Sequence, residues 1–426
     1  MNNFPLFTIF IPTKDRSKYL YHTLRTCTEQ TYPNLEIIVA DDASTDDTVE
    51  VVNRMAQNDP RIKLIARKKR VGMRDNFEMA LDLIKPGYVI ALGGDDGLIP
   101  DGIMSMYKIM KDTNTELLTW CPPVYEYPSE RNPKGQFSIY RHKGIRVVQS
   151  NTFLDRQTKK FNYVNDIECP MFYVKGVVST RLIDRVKSRS RDGRFYSCPT
   201  PDGYSGIVLA GEVENYIFSG EAFSIYGVSS SSQGLVYLSN EKEAKANSDE
   251  FFNFTKEITM HSELANQPYS PLLSLMTVDY LLTARDLPGW PGKFSKINYR
   301  KMLDKAIREL SSCRYGEERI EREIHILYEI AKKHELEDYF KQQIKQSKRY
   351  GSSIINIESA ISPNMLYINP EEFQICNIYD AAYASKYIYK MVLRLNTKSI
   401  FKILKNSYKI FSAKKKIMGD FPDVNL

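Results

Sequence analysis

Leu92-Gly-Gly-Asp-Asp-Gly-Leu-Ile-Pro100 places two adjacent carboxylates at the end of an apolar run. Such a pair suits a hard cation, although by itself it also fits an ordinary turn. A second acidic cluster, Ile37-Ile-Val-Ala-Asp-Asp-Ala-Ser-Thr-Asp-Asp-Thr48, lies earlier in the chain and also follows a short β-branched run. Two strands that end in acids on one side of an open α/β sheet bring those acids to the crevice beyond the strands' carboxyl ends, where such sheets bind ligands. Carboxylates gathered there point to a divalent cation carrying phosphates.

The surrounding pattern fits such a sheet. Strand-like runs at Phe7 to Ile11, Glu36 to Ala40, Lys63 to Ala66 and Tyr88 to Leu92 alternate with helix-like runs at Lys18 to Thr28, Thr45 to Gln57 and Arg74 to Ile84. That is the βαβ rhythm of a parallel sheet. From Thr115 to about Gly234 the pattern is irregular, with β-type runs at Leu117 to Tyr127 and Met171 to Thr180 and a helix expected over Gly203 to Ala210. After Ser239 apolar residues recur at helical spacing, as in Asn298 to Leu310 and Glu317 to His334, with breaks at Pro288 to Gly292 and around Gly351 and Pro363. The expected division is residues 1–238, in halves 1–110 and 111–238, then a helical region 239–384 and a basic tail 385–426.

At 426 residues the chain is long for one core, and 42% hydrophobic content is ordinary for a globular protein. No run is long and apolar enough to span a bilayer, and the start reads as a first strand and not as a signal peptide, so a cytoplasmic location is expected. Cys27, Cys121, Cys169, Cys198, Cys313 and Cys376 show no Cys-x-x-Cys spacing, which argues against a disulfide framework or a zinc site. His22, His142, His261, His325 and His334 likewise show no ligand spacing.

The net charge of +7 is concentrated in the tail: Lys386 to Ile417 holds ten of the 59 basic residues and none of the 52 acidic ones. Lys386, Lys390, Arg394, Lys398 and Lys402 recur every four residues, continued by Lys405 and Lys409, as in a basic amphipathic helix. Two readings stand: a solvated face packed on the domain, or a surface that docks on anionic lipid headgroups at the inner face of a membrane. Nucleic acid is not expected as a partner.

Five motifs in the first hundred residues resemble the GT-A nucleotide-sugar glycosyltransferases of glycosyltransferase family 2. Phe10-Ile-Pro-Thr-Lys-Asp-Arg16 resembles the opening strand and turn, and Gln30-Thr-Tyr-Pro-Asn-Leu-Glu36 the approach to the second strand. Ala40-Asp-Asp-Ala-Ser-Thr-Asp46 resembles the Asp-Asp-x-Ser-x-Asp element, Val71-Gly-Met-Arg-Asp-Asn76 the Gly-x-x-x-Asn helix start, and Asp95-Asp96 the metal-binding acids. The resemblance implies a GT-A fold, a Rossmann-like mixed sheet flanked by helices, followed here by the helical region. It also implies a nucleotide diphosphate sugar donor, UDP-linked in expectation, a Mn2+ or Mg2+ ion, and a glycan or lipid-linked acceptor in bacterial surface polysaccharide synthesis.

It assigns the metal to Asp95, a supporting or donor-sugar role to Asp96 and a donor-sugar role to Gly94. The nucleotide falls to Pro12, Thr13, Asp15, Arg16, Asp41, Asp42, Arg74 and Asp95. Arg16 and Arg74 are equally suited to surface ion pairs, and Ser44 and Asp46 equally to capping the following helix. The general base is expected at Asp202, in Ser197-Cys-Pro-Thr-Pro-Asp-Gly-Tyr-Ser205, where it also suits a helix N-cap; Asp166, Glu168, Glu212 and Glu214 are alternatives. One base with no second nucleophile implies inversion. Gly227-Val-Ser-Ser-Ser-Ser-Gln-Gly234 resembles a closing loop and equally reads as a linker.

This chain departs from the family where Gly93 stands in place of the usual first acid. A non-catalytic nucleotide-sugar or glycan-binding subunit is therefore the rival reading. A dehydrogenase or nucleotidyltransferase is disfavoured because Pro12-Thr-Lys-Asp-Arg16 follows the first strand where a glycine-rich phosphate loop would stand. An oligomer through the helical region is open.

Overall fold

In a computed structural model, the expected first strand is β1 (Phe7–Thr13), buried at every position. Burial on both faces is what an unbroken apolar run implies for a parallel strand covered by helices. The residues described are 4–129, 132–140, 142, 144–230, 232, 242–312, 315–351, 360–362, 365–392 and 416–420. After β1 come α1 (Ser17–Thr28), β2 (Leu35–Asp41), α2 (Thr48–Ala56), β3 (Ile62–Ala66), α3 (Met73–Leu81), β4 (Tyr88–Ala91), the short β5 (Gly97–Leu98) and α4 (Gly102–Thr113). The helix expected from Thr45 starts later, at Thr48. Asp46 accepts from the amides of Thr48 and Ser17, both at 3.0 Å, and so ties the loop to the starts of α2 and α1 together.

The irregular half contains β6 (Leu117–Trp120), β7 (Val124–Glu126), β8 (Gln136–Tyr140), β9 (Ile145–Gln149), α5 (Ser150–Lys160), β10 (Gly176–Ser179), α6 (Thr180–Arg189), α7 (Pro201–Glu212), β11 (Asn215–Ser219) and β12 (Ser224–Val228). The run expected over Leu117 to Tyr127 breaks at Pro122 and Pro123, which carry no amide proton for a ladder, and its two parts enter different sheets.

The main sheet has the strand order β3-β2-β1-β4-β10-β6-β11-β9. Its first four strands are parallel, and β10 runs antiparallel to both neighbours. The mixed α/β fold expected from the sequence is the one observed. Alternate residues of β1 feed opposite cores: Ile9 and Ile11 join Leu20 and Leu24 of α1 and Met106 of α4. Phe10 instead joins Phe77 of α3 and Ile207 and Val208 of α7.

The helical region comprises α8 (Lys242–Thr255), α9 (Leu273–Arg285), α10 (Tyr299–Ser312), α11 (Glu317–Lys333) and α12 (Glu337–Gln346). Leu303, Ile307, Ile324, Leu327 and Ile330 form its own core, as their helical spacing predicts. Then follow β13 (Lys348–Gly351), β14 (Ala360–Ser362), β15 (Met365–Ile368), α13 (Ile378–Val392) and β16 (Lys416–Asp420).

Here the structure departs from an all-helical 239–384. β15 pairs antiparallel with β8 in a second sheet, ordered β14-β15-β8-β7-β12-β5. α13 lies against α1, where the Tyr379 and Tyr383 hydroxyls donate to Glu29 at 2.8 and 2.6 Å. Leu366, Ile368 and Ile378 are buried there, and that burial returns the segment to the first half of the chain. α13 also crosses the expected boundary at 385, and Lys386 pairs with Asp101 at 2.6 Å. The rest of the basic stripe lies at positions whose side chains are outside the described residues. No helix among the described residues is long and apolar enough to cross a membrane.

Within α9, Asp279 is buried and accepts from the His261 amide at 2.7 Å. Burial raises its pKa from 3.8 to about 6, against the opposing effect of that hydrogen bond. The native state thus holds a proton that the unfolded chain releases. This favours folding at low pH and is lost as pH rises from about 4 through 6. Asp279→Asn is expected to raise stability at pH 7.5 by up to about 3 kcal/mol, with little gain at pH 4, in urea denaturation at both pH values.

Candidate active site

The carboxyl ends of β1, β2 and β4 lie side by side because the strands are parallel and in register, with Thr13 beside Asp41 and Phe10 beside Ala91. Beyond them run residues 12–16, 41–48 and 93–96. The first two segments each contain a non-glycine residue in the left-handed region, Asp15 (φ 50°) and Ala43 (φ 56°). Such strain persists where surrounding bonds over-determine it. Here those bonds are Thr45 N–H to Asp15 at 2.7 Å and Ser44 N–H to Asp41 at 3.0 Å. Lys14 and the Thr45 amide hold the Asp15 carboxyl below its ordinary range in spite of partial burial, which pushes the other way.

Asp41 and Asp42 are both buried, and each has a local partner. Asp41 bonds Ser44, and Asp42 accepts from the amides of Val71 (2.8 Å) and Gly72 (3.0 Å), so it fixes the turn that opens α3. Ser44 and Asp46 are occupied in the loop and at the helix starts, the capping alternative of the two readings. The Arg74 side chain pairs with Asp75 at 3.0 Å, the ion-pair alternative for that residue. Arg16 donates to the Lys14 carbonyl at 3.2 Å, and its stem lies against Gly94, where a Cβ would sit 3.0 Å away. Thr13 Oγ1 is buried beside Gly94 with no hydrogen-bond partner among the described residues, an acceptor and donor left open in the crevice.

The acid pair divides its work. Asp96 is fully buried, and its two oxygens accept from the Gly93 amide at 2.6 Å and the Gly227 amide at 2.8 Å. Burial, and after it the charge of Asp95, push its pKa well up. Of the roles expected for Asp96, this geometry serves the supporting one. Asp95 keeps one oxygen bonded to Ser229 (2.6 Å) and Ser232 (3.1 Å). The described part of the expected closing loop is therefore attached to the acid pair; positions 231, 233 and 234 lie outside the described residues. Gly227 is required by close approach, since a Cβ there would lie 1.8 Å from the Asp95 carbonyl oxygen.

Gly93 has a physical reason as well. A Cβ at that position would lie 2.2 Å from the Tyr173 hydroxyl, which donates to Asp96. A tyrosine from the 111–238 half occupies the space of the absent acid. Sequence reading missed Tyr173, because nothing near it in the chain marks it as a partner of residue 93.

Among the carboxylates considered as a base, Asp166 and Glu168 pair with Arg156 at 2.9 and 2.5 Å, and Glu212 with Arg189 at 2.8 Å. Glu214 is exposed. Asp202 makes no ion pair with any described residue. It lies in the first turn of α7, whose N-cap position is Thr200, so the capping reading shifts two residues away. Burial raises its pKa, partly opposed by the Gly203 amide. Burial raises the pKa of the Tyr173 and Tyr226 hydroxyls, and the charges of Asp95, Asp96 and Asp202 each add to that rise. Glu78, a residue not expected at the site, accepts from the amides of Phe195 (3.0 Å) and Tyr196 (2.8 Å) and holds the strand of chain that leads to Asp202.

Residues 8–179 match the model of glycosyl transferase family 2. The match includes the acid clusters at 41–46 and 95–96 and ends before Asp202. Over 113 residues the chain is 31% identical to the hyaluronan synthase of Pasteurella multocida (26% of this chain, 12% of that one). Over 99 residues it is 35% identical to the chondroitin synthase of Escherichia coli (23% and 14%). It is 25% identical over 135 residues to the glycosyltransferase GlyG of Streptococcus pneumoniae, 43% of whose length it spans. The chain thus spans less than half the length of these curated relatives. Among solved structures, S. aureus TarS 1-349 with UDP-GlcNAc covers 81% of this chain at 14% identity, with 93% of that chain covered and a TM-score of 0.43.

The packing of Tyr173 against Gly93 predicts a measurable coupling. Gly93→Ala is expected to cost about 1–3 kcal/mol by overpacking, and less in a Tyr173→Phe background. A urea-denaturation double-mutant cycle checks this.

Proposed function

We propose that the protein transfers a sugar, with inversion, from a nucleotide diphosphate sugar to a hydroxyl of a glycan or lipid-linked acceptor in surface polysaccharide synthesis. The observation that carries this reading is the isolation of Asp202. Alone among the candidate bases that are not exposed, it is without a cation among the described residues; burial pushes it toward the proton-accepting range, and its charge acts with those of the acid pair on the Tyr173 and Tyr226 hydroxyls. A carboxylate held in that range removes a hydroxyl proton as attack proceeds. The match to the family model supports the reaction class, and the hyaluronan and chondroitin synthases among its relatives support a polysaccharide context.

Among the described residues no cluster of three or more acidic, histidine or cysteine side chains could hold a metal ion unaided. The donor set nonetheless fits Mg2+ or Mn2+, because such ions are commonly held by one or two carboxylates with substrate phosphates completing the coordination. Asp95 would provide the carboxylate, and the bound ion would neutralise charge on the departing diphosphate. Asp96 positions Asp95 by fixing the turn on both sides of it. Thr13, Asp15, Asp41 and Arg16 would line the nucleotide, with UDP as the proposed base and diphosphate. Division into donor half, acceptor half and helical region is part of the same proposal. The rival, a non-catalytic binding subunit, loses its motive once Gly93 is explained by Tyr173.

Asp202→Asn is expected to lower the transfer rate about 10²–10⁴-fold while leaving UDP affinity and the melting temperature near wild type. In the wild type, the acid limb of kcat/KM should lie above the ordinary carboxylate value of 3.8, because the base must be ionised and burial opposes ionisation. Unchanged turnover in Asp202→Asn would refute the assignment.

A further inference from the structure

A recess of about 600 Å³ opens where the end of α5 meets α10, away from the strand-end crevice. Lys159, Lys160, Lys301, Lys305 and Arg308 line it, with Asp304 as the one acid. On α10 the spacing 301, 304, 305, 308 puts these side chains on one face. Met302, Leu303, Ala306 and Ile307 of the same helix are buried on the opposite side.

The floor is built by Phe161. It ends α5 in the left-handed region (φ 49°) and enters the same buried cluster as α10. The two walls are therefore fixed to one another. Two residues further on, Tyr163 packs against the first turn of α7, where a Cβ on Gly203 would lie 2.5 Å from its ring. The recess is thus linked through three consecutive residues to the helix that carries Asp202.

Its charge is unbalanced. Several cations elsewhere on this half are matched, as in Arg146 with Glu168, Arg156 with Asp166, Arg185 with Glu116 and Arg189 with Glu212. In the recess only Lys305 forms an ion pair with a described residue, with Glu309 at 3.7 Å, while Lys159 acts on Asp155 through its charge. Lys159, Lys160, Lys301 and Arg308 form no ion pair with any described residue. Asp304 already accepts from the Tyr339 hydroxyl. Helix dipoles explain Lys159 and Lys160 at the end of α5, but they oppose Lys301 in the first turn of α10. Clustered like charges around a concavity raise its positive potential and draw in anions.

We propose that this recess binds a stretch of anionic oligosaccharide, one carrying carboxylate or phosphate groups, and so holds a charged acceptor chain at a distance from the transfer site. This rests on the glycosyltransferase reading above. The volume is that of a discrete ligand site. A concave wall does not fit a bilayer plane, and Phe161 is buried and so offers no platform for stacking a nucleic-acid base.

The test is a titration of wild type and Lys301→Glu/Arg308→Glu with three labelled octamers, an alternating uronate and N-acetylhexosamine chain, a polyol-phosphate chain and a neutral glucan, and with vesicles containing phosphatidylglycerol. UDP with Mn2+ is titrated in parallel. Both substituted side chains are exposed, so the fold should be retained. The expected result is binding of at least one anionic octamer to the wild type, weakened by salt and about tenfold or more weaker in the variant, with no glucan binding and equal UDP affinity in both proteins. Equal anionic binding by both proteins, equal binding of the glucan, or binding only to vesicles containing phosphatidylglycerol would overturn the proposal. Absence of UDP binding in both proteins would instead overturn the donor reading, whatever the octamers do.

Discussion

The structure depends most on the carboxylate of Asp96. It sits fully buried between the turn after β4 and strand β12, and accepts an amide from each. Removing a charge from water is costly unless its bonds are made, and here two backbone donors and the Tyr173 hydroxyl make them. Through this one group the end of the main sheet is fastened to the second sheet. Gly227 and Gly93 are then forced by contact, the first by the Asp95 carbonyl and the second by Tyr173. Asp95, also buried, has one oxygen tied to Ser229 and Ser232.

The 111–238 half shows a second constraint, in how its charges are arranged. Arg146, Arg156, Arg185 and Arg189 absorb the acids around them, and Glu212 is buried only because Arg189 accompanies it. Asp202 has no such companion. Its surroundings are tyrosine rings, and the Tyr163, Tyr269 and Tyr280 hydroxyls all have their pKa raised, by burial first and in part by its charge. A carboxylate placed among neutral rings retains basicity that a paired one gives up.

How much of this was legible in the sequence follows from contact range. β1, β2 and β4 and the acids at their ends could be read because a parallel strand buried on both faces is a continuous apolar run, and the site residues follow directly in the chain. The pairing of β15 with β8 could not be read, because the partners Leu366 and Ile139 are far apart and both runs are short. Gly93 looked like a missing acid, since its partner Tyr173 comes from the other half. Ser44 and Asp46 read equally as ligand contacts or helix caps, and Asp96 as a supporting or sugar-contacting acid, because a carboxylate that binds a ligand and one that binds a backbone amide have the same spelling. The basic recess was invisible for the same reason: Lys160 and Lys301 meet only because Phe161 enters the core of α10.

The central claim is that the crevice beyond β1, β2 and β4 binds a nucleoside diphosphate through a cation held by Asp95. Calorimetric titration of UDP, GDP, CDP and dTDP, each with and without Mn2+, into wild type and Asp95→Ala tests it most directly. The account predicts that one nucleotide, UDP, binds the wild type in a metal-dependent manner and that the metal dependence vanishes in Asp95→Ala. Binding of no nucleotide, or binding equally strong without metal and in the variant, would contradict it.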